Sequence, residues 1–76
     1  MTELVQEVTA EEVARSYAAA MDSVALLQAG QPKEMTDAEW QDCKQRNIDH
    51  LKIQIAKGAE YYGSLDLTPF EDAVKL

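Results

Sequence analysis

The sequence is poor in cysteine, glycine and proline, with one, three and two copies respectively. The lone Cys43 cannot form a disulfide within the chain or complete a multi-cysteine metal site, which favours a reduced, intracellular protein. No stretch approaches the roughly 18 consecutive apolar residues of a membrane span. The first residues also lack the basic and apolar regions of a signal peptide. We therefore expect a soluble, cytoplasmic protein that does not enter a membrane.

Basic residues are scarce as well, since seven stand against 14 acids and the net charge is −7. Residues 1–30 hold five acids and one base, residues 31–58 five of each, and residues 59–76 four acids and one base. Acidic ends disfavour direct binding to nucleic acid or anionic membranes. No Gly-rich phosphate loop is present either. The acids either provide solubility or attract a basic protein.

The length of 76 residues predicts a single small helical domain over residues 1–76. A chain of this size buries only about 60% of its unfolded surface, although 46% apolar residues suffice for folding. Such a core rarely supplies more than about 3–5 kcal/mol without a staple, a metal or a second subunit. Oligomerisation is therefore an option on size alone.

Capping and helix-breaking residues predict a first helix over about residues 10–29. Thr9 and Glu12 have the spacing of a capping box, in which each side chain satisfies a free backbone N–H. Gly30 and Pro32 end the helix. Apolar residues at helical spacing predict a core-facing stripe: Val13, Tyr17, Ala20, Met21, Val24 and Leu27.

A second helix is predicted over about residues 37–57. Thr36 and Glu39 repeat the capping box, and Gly58 can end the helix in a left-handed cap. In the alternative, the helix continues to Tyr62 and stops at the next glycine; the first end is preferred because glycine inside a helix costs roughly 1 kcal/mol relative to alanine. Its apolar stripe is Trp40, Ile48, Leu51 and Ile55.

A short third helix is predicted over about residues 69–75. Thr68 and Glu71 match a third capping box, with Pro69 at the first helical position. So short a helix must dock onto the other two. The first eight residues are interpreted as an extended arm, although a frayed helix or a short edge strand fits them too.

The connection over residues 30–35 is short, which predicts antiparallel neighbours. The expected fold class is therefore all-α, an antiparallel helical hairpin closed by the third helix and preceded by the arm. Oppositely charged residues at one-turn spacing predict three ion pairs along the helices: Glu11 with Arg15, Asp42 with Arg46, and Glu71 with Lys75.

One edge of the second helix carries four residues that could do chemistry: Cys43, Asn47, His50 and Gln54. Seven residues of helix separate Cys43 from His50, about 10 Å, so the thiol cannot reach the imidazole as a base or share a zinc ion with it. We expect no catalytic residue, no metal and no cofactor. These residues form a half-buried polar border of the core, or a helix–helix interface whose register Asn47 fixes.

Several side chains are candidates for contact with a partner. Leu26 and Ile53 fall on the wrong faces of their helices and would mark an interface if they formed one patch. Tyr61 and Tyr62, in a Gly-flanked loop, are either anchors for a partner or a cover for the open end of the core. Asn47 and His50 complete the candidate set.

The second half of the chain contains a scattered residue pattern: Glu39-Trp40, Arg46-Asn47, His50-Leu51-Lys52-Ile53, Ala56-Lys57, Tyr61-Tyr62 and Asp66-Leu67-Thr68-Pro69. Over roughly residues 36–74 it resembles short, uncharacterised proteins of tailed bacteriophages, from which the Gly-Ala-Glu before the tyrosines departs. The resemblance implies a context, namely a phage gene product acting in the bacterial cytoplasm or as a minor virion or assembly component.

Together these patterns predict a non-enzymatic module that binds another protein or itself as a homo-oligomer. The alternative is an acidic inhibitor that mimics nucleic acid and occupies the basic groove of a host or defence protein.

Overall fold

The computed structural model describes residues 9–76, and all its regular structure is helical there. Helix α1 spans Ala10–Ala29, α2 spans Asp37–Tyr62 and α3 spans Thr68–Ala73. The predicted all-α class, with two long helices and a short third one, is confirmed. The arm predicted for residues 1–8 lies outside the described residues.

The first two helices begin where their caps were predicted. At α2 the capping box is complete, because Glu39 N–H donates to Thr36 Oγ1 at 3.2 Å and Thr36 N–H donates to Glu39 Oε1 at 2.9 Å. At α1, Glu12 N–H donates to Thr9 Oγ1 at 3.1 Å. Gly30, at φ 83°, ends α1 as expected.

Helix α2 is interrupted at Gly58 but does not end there. Gly58 has φ 58° and ψ −156°, a conformation that is essentially restricted to glycine, and a further helical turn follows. That turn ends at Gly63, whose N–H donates to the carbonyl of Ala59 at 2.8 Å. The preferred end at Gly58 therefore coincides with a break in the helix, and the alternative end at Tyr62 coincides with the end of the turn that follows it. Neither interpretation included both features.

The start of α3 differs from the prediction. The N-cap position is Leu67, which makes no side-chain cap bond, so the capping box predicted at Thr68 and Glu71 was wrong. Instead, Asp66 Oδ1 accepts the backbone N–H of Thr68 at 3.0 Å. The helix spans Thr68–Ala73 rather than 69–75.

Two of the three predicted ion pairs form. Arg15 contacts Glu11 at 3.0 Å and Arg46 contacts Asp42 at 2.6 Å, both between exposed side chains. Within the described residues, the third predicted pair, Glu71 with Lys75, does not meet the distance for an ion pair. Pairs this exposed contribute about 0.3–0.5 kcal/mol each, so the fold does not depend on them.

Hydrogen bonds between α1 and α2 establish their relative direction. Ser23 Oγ donates to Asn47 Oδ1 at 2.8 Å, and Ser16 Oγ lies 3.3 Å from Gln54 Oε1. Moving seven residues towards the start of α1 therefore moves seven residues towards the end of α2. The two helices are antiparallel, as the short connection predicted.

The core lies along the hairpin and continues under α3. Tyr17 of α1 and Tyr62 of α2 surround Phe70 of α3, with ring centroids 5.1 and 6.1 Å from its ring. Tyr17 also donates its hydroxyl to the carbonyl of Asp66 at 2.6 Å, which fixes the loop before α3. The buried core cluster contains both predicted stripes in part: Ala20, Val24, Leu27, Leu51, Tyr62, Phe70 and Ala73.

Candidate interaction surface

The polar edge of α2 faces two serines of α1. Asn47 accepts from Ser23 Oγ and donates Nδ2–H to the carbonyl of Cys43, each at 2.8 Å. Its side chain therefore bonds both across the hairpin and within its own helix. A partly buried polar contact of this kind is satisfied at one relative position of the two helices and left unpaired at others, so it favours the observed register.

Gln54 belongs to a closed hydrogen-bond network with Tyr62 and Ser16. The Tyr62 hydroxyl donates to Gln54 Oε1 at 2.5 Å, and Ser16 Oγ lies 2.9 Å from the Tyr62 oxygen. Gln54 is 5% exposed and Tyr62 is 3% exposed. The network joins both long helices across the break at Gly58, and it explains why a glutamine can occupy a buried position.

Ser16 and Ser23 were missed as structural residues from the sequence. The signal was present, because they are seven residues apart on α1 and Asn47 and Gln54 are seven residues apart on α2. Two polar pairs with equal spacing match when helices pack antiparallel. The interpretation of the α2 edge as a polar border of the core fits this arrangement.

Cys43 and His50 are both half-buried on this edge. Their separation of seven residues on one continuous stretch of helix corresponds to about 10 Å. Within residues 9–76, no group of three or more histidine, cysteine and acidic side chains is arranged to hold a metal ion.

The two tyrosines near the end of α2 differ from each other. Both lie in the last helical turn, so their placement in a loop was wrong. Tyr62 is buried in the core, which agrees with the alternative that it covers the open end of the hairpin. Tyr61 is half-buried, and Lys57 Nζ lies 4.5 Å from its ring centroid.

Leu26 and Ile53 do not form one patch. Ile53 is 57% exposed, whereas Leu26 is half-buried. The register set by Ser23 and Asn47 places Leu26 level with Lys44 of α2. Lys44 precedes Ile53 by nine residues, which is about 13 Å along the axis.

The outer face of α2 surrounds Ile53 with charged and small residues. We use this name for six exposed positions at helical spacing: Arg46, Asp49, Ile53, Ala56, Lys57 and Glu60. Asp49 accepts from Gln45 Nε2 at 2.9 Å, and Arg46 pairs with Asp42. These partners are also exposed, so the charges of the outer face remain accessible.

A groove of about 440 Å³ lies near the connection between α1 and α2. Three of its lining side chains are already engaged, since Glu39 caps α2 and Arg46 pairs with Asp42. Met35 and Pro32 supply apolar surface, and Cys43 lies at the edge shared with the polar border. The sequence did not predict this groove, because it depends on how residues 30–36 fold back against α2.

Comparison with known proteins gives no family model, no curated protein and no solved structure that matches this chain. In residues 9–76, no helix has the length and apolar character needed to cross a bilayer.

Proposed function

We propose that this chain is a non-enzymatic module that acts by binding a protein, either another one or a second copy of itself, through the outer face of α2. The observation that carries the proposal is Ile53, whose side chain is 57% exposed in the middle of a charged helix face. Isolated exposed apolar residues are common, but this one lies in the middle of a helix between the exposed charges of Asp49 and Lys57. A central apolar contact inside a polar rim is the usual organisation of a protein interface.

The polar residues of α2 support this division of roles. Asn47, Gln54 and Tyr62 use their polar atoms for hydrogen bonds that hold the hairpin together. Cys43 and His50 are too far apart along the helix for a shared reaction. The polar residues that face α1 therefore stabilise the hairpin, and the residues of the outer face are left to bind a partner. The resemblance to phage proteins implies only a context for such binding, the bacterial cytoplasm or the virion.

Tagged protein and bacterial lysate provide the direct test. We expect captured partners to be lost with Ile53→Ser and retained with Leu76→Ser, a matched control at a leucine that is 56% exposed elsewhere. Circular dichroism should show equal helix content for both variants. Equal capture by the two variants, or capture of nothing by the native chain together with a monomeric state, contradicts the proposal.

The exposed acids near α3 favour a second candidate, a mimic of nucleic acid that occupies a basic groove. Glu60, Asp66, Glu71 and Asp72 are all exposed, with Lys75 as the only base between residues 59 and 76. Binding of this kind weakens steeply with salt. The double variant Glu71→Gln, Asp72→Asn, which leaves the outer face of α2 intact, should then lose its partner while Ile53→Ser keeps it. A complex that is insensitive to salt between about 50 and 200 mM contradicts the mimic.

A further inference from the structure

We propose that the outer face of α2 binds a second copy of this chain, with the two α2 helices antiparallel and crossing at Ile53. The proposal rests on the proposed function and names the partner of that surface. In a two-fold dimer the same patch meets itself, so each residue contacts the one at the equal and opposite distance from the axis. The face must therefore be complementary to its own reverse.

The charges around Ile53 have this property. Asp49 precedes Ile53 by four residues and Lys57 follows it by four, and all three side chains are exposed. When two α2 helices cross antiparallel at Ile53, Asp49 of each copy faces Lys57 of the other. One isoleucine contact is then flanked by two opposite-charge pairs.

A parallel arrangement lacks this complementarity. It places Asp49 beside Asp49 and Lys57 beside Lys57, and like charges at an interface disfavour the wrong pairing. The charge pattern therefore specifies the direction of the second helix. Asp49 and Lys57 are free to turn towards it, because their present contacts are an exposed hydrogen bond with Gln45 and a cation–π contact with Tyr61.

The next turn on each side repeats the pattern. Arg46 and Glu60 lie seven residues before and after Ile53, and both are exposed. Ala56, beside Ile53, is small and allows the helix axes to approach closely. Because Glu60 lies beyond the break at Gly58, the inner pair of Asp49 and Lys57 is the better basis for a test.

The size of the face sets the expected strength. From Arg46 to Glu60 it is about 21 Å long, and one helix face covers less than the roughly 800 Å² per partner of a standard interface. We therefore expect a weak, concentration-dependent dimer. Sedimentation velocity on the full chain at concentrations up to about 1 mM is suited to this range.

Charge reversal provides a test in which repulsion and rescue are both predicted. Asp49→Lys leaves lysines at both positions, and Lys57→Asp leaves aspartates at both, so each variant alone should dimerise about tenfold more weakly than the native chain. An equimolar mixture of the two variants should form a heterodimer of native strength, because every pair is again opposite in sign. The double variant Asp49→Lys, Lys57→Asp should also dimerise like the native chain.

Two controls change the net charge by the same amounts at exposed sites away from this face. Asp22→Lys matches Asp49→Lys, and Lys33→Asp matches Lys57→Asp; neither should weaken the dimer. A mixture of Asp22→Lys and Lys33→Asp should show no preference for the heterodimer. These controls separate local pairing from the overall repulsion between two chains of charge −7.

A native chain that stays monomeric at 1 mM overturns the inference. So does a dimer whose strength is unchanged by Asp49→Lys, or a variant mixture that fails to form a heterodimer. If the chain is monomeric but Ile53→Ser still abolishes capture of a host protein, the proposed function holds and only the second copy is excluded. If native dimerisation is rescued by charge exchange but no other protein is captured, self-association is the binding activity.

Discussion

The two faces of α2 differ in how their side chains are used. On the inner face, Leu51 has no exposed surface, Gln54 is 5% exposed and Tyr62 is 3% exposed. On the outer face, Ile53 is 57% exposed and its charged neighbours make contacts only at the surface. Residues only one or two positions apart therefore have different roles. Those on the inner face determine the stability of the hairpin, and those on the outer face are exposed to solvent and open to a partner.

The largest effect expected from this comparison is at Leu51. Leu51→Ala removes a fully buried side chain and should lower the free energy of unfolding by about 2–5 kcal/mol, measured by urea denaturation followed by circular dichroism. Ile53→Ala, two residues away, should change it by less than about 0.5 kcal/mol, because the side chain is already hydrated. Similar losses at the two positions would contradict the division of α2 into two faces.

The break at Gly58 connects the inner face to its last turn. Gly58→Ala should cost about 1–3 kcal/mol, because φ 58° and ψ −156° are strained for an L-residue. Apart from the adjoining stretch of chain, no atom lies within 4 Å of the added methyl position, so the cost comes from the backbone conformation rather than from a clash with the rest of the fold. Thermal and urea unfolding of the variant measure it.

Replacement of Gly58 by D-alanine in a chemically synthesised chain is the matched control. The mirror-image residue prefers positive φ, so D-alanine should leave stability unchanged or raise it slightly. A loss of equal size with both alanine enantiomers would contradict backbone strain as the cause.

A smaller effect is expected at the hydroxyl of Tyr62. Tyr62→Phe removes the donor to Gln54 Oε1 and should cost about 1–2 kcal/mol, because both groups are buried. Tyr61→Phe is the adjacent control; its hydroxyl has no hydrogen bond within the described residues, so the change should be below about 0.5 kcal/mol. If the two substitutions lower the free energy of unfolding equally, the hydrogen bond from Tyr62 to Gln54 does not stabilise the fold.

Local rules recovered the parts of the fold that depend on a few neighbouring residues. The ends of α1 and the start of α2 follow from Thr9, Gly30 and Thr36, whose side chains or backbone conformations act within one turn. The α3 start failed for a local reason too, since Asp66 competes with Thr68 for the capping role and satisfies the first free N–H.

Features that depend on tertiary packing could not be predicted from neighbouring residues. The low helix propensity of glycine predicts that α2 ends at Gly58. Burial of Tyr62 against Phe70 and Tyr17 nevertheless stabilises one more turn after the break. The role of Gln54 depends on which face of α1 it meets, and that is set by the whole core. The exposure of Ile53 could be predicted because it follows from helical spacing alone, whereas the separation of Leu26 from Ile53 depends on the register of the two helices.

The smallest effect concerns Asp66, which connects the loop before α3 to the inner face. The backbone N–H of Thr68, together with its side chain, holds the pKa of the Asp66 carboxyl below its usual value of 3.8. A carboxyl whose pKa is lowered by folding contributes stability above the unfolded pKa, and this contribution is lost as the pH falls through the folded pKa. The stability difference between the native chain and Asp66→Asn should therefore be constant from pH 7 to about 5 and should shrink below about pH 4.

Because Asp66 also accepts the Tyr17 hydroxyl through its backbone carbonyl, which is retained in Asp66→Asn, α3 should stay docked in the variant. Dimerisation through the outer face of α2 should be the same for the native chain and Asp66→Asn at pH 7. A stability difference between the two that grows on acidification would show that the carboxylate destabilises the start of α3.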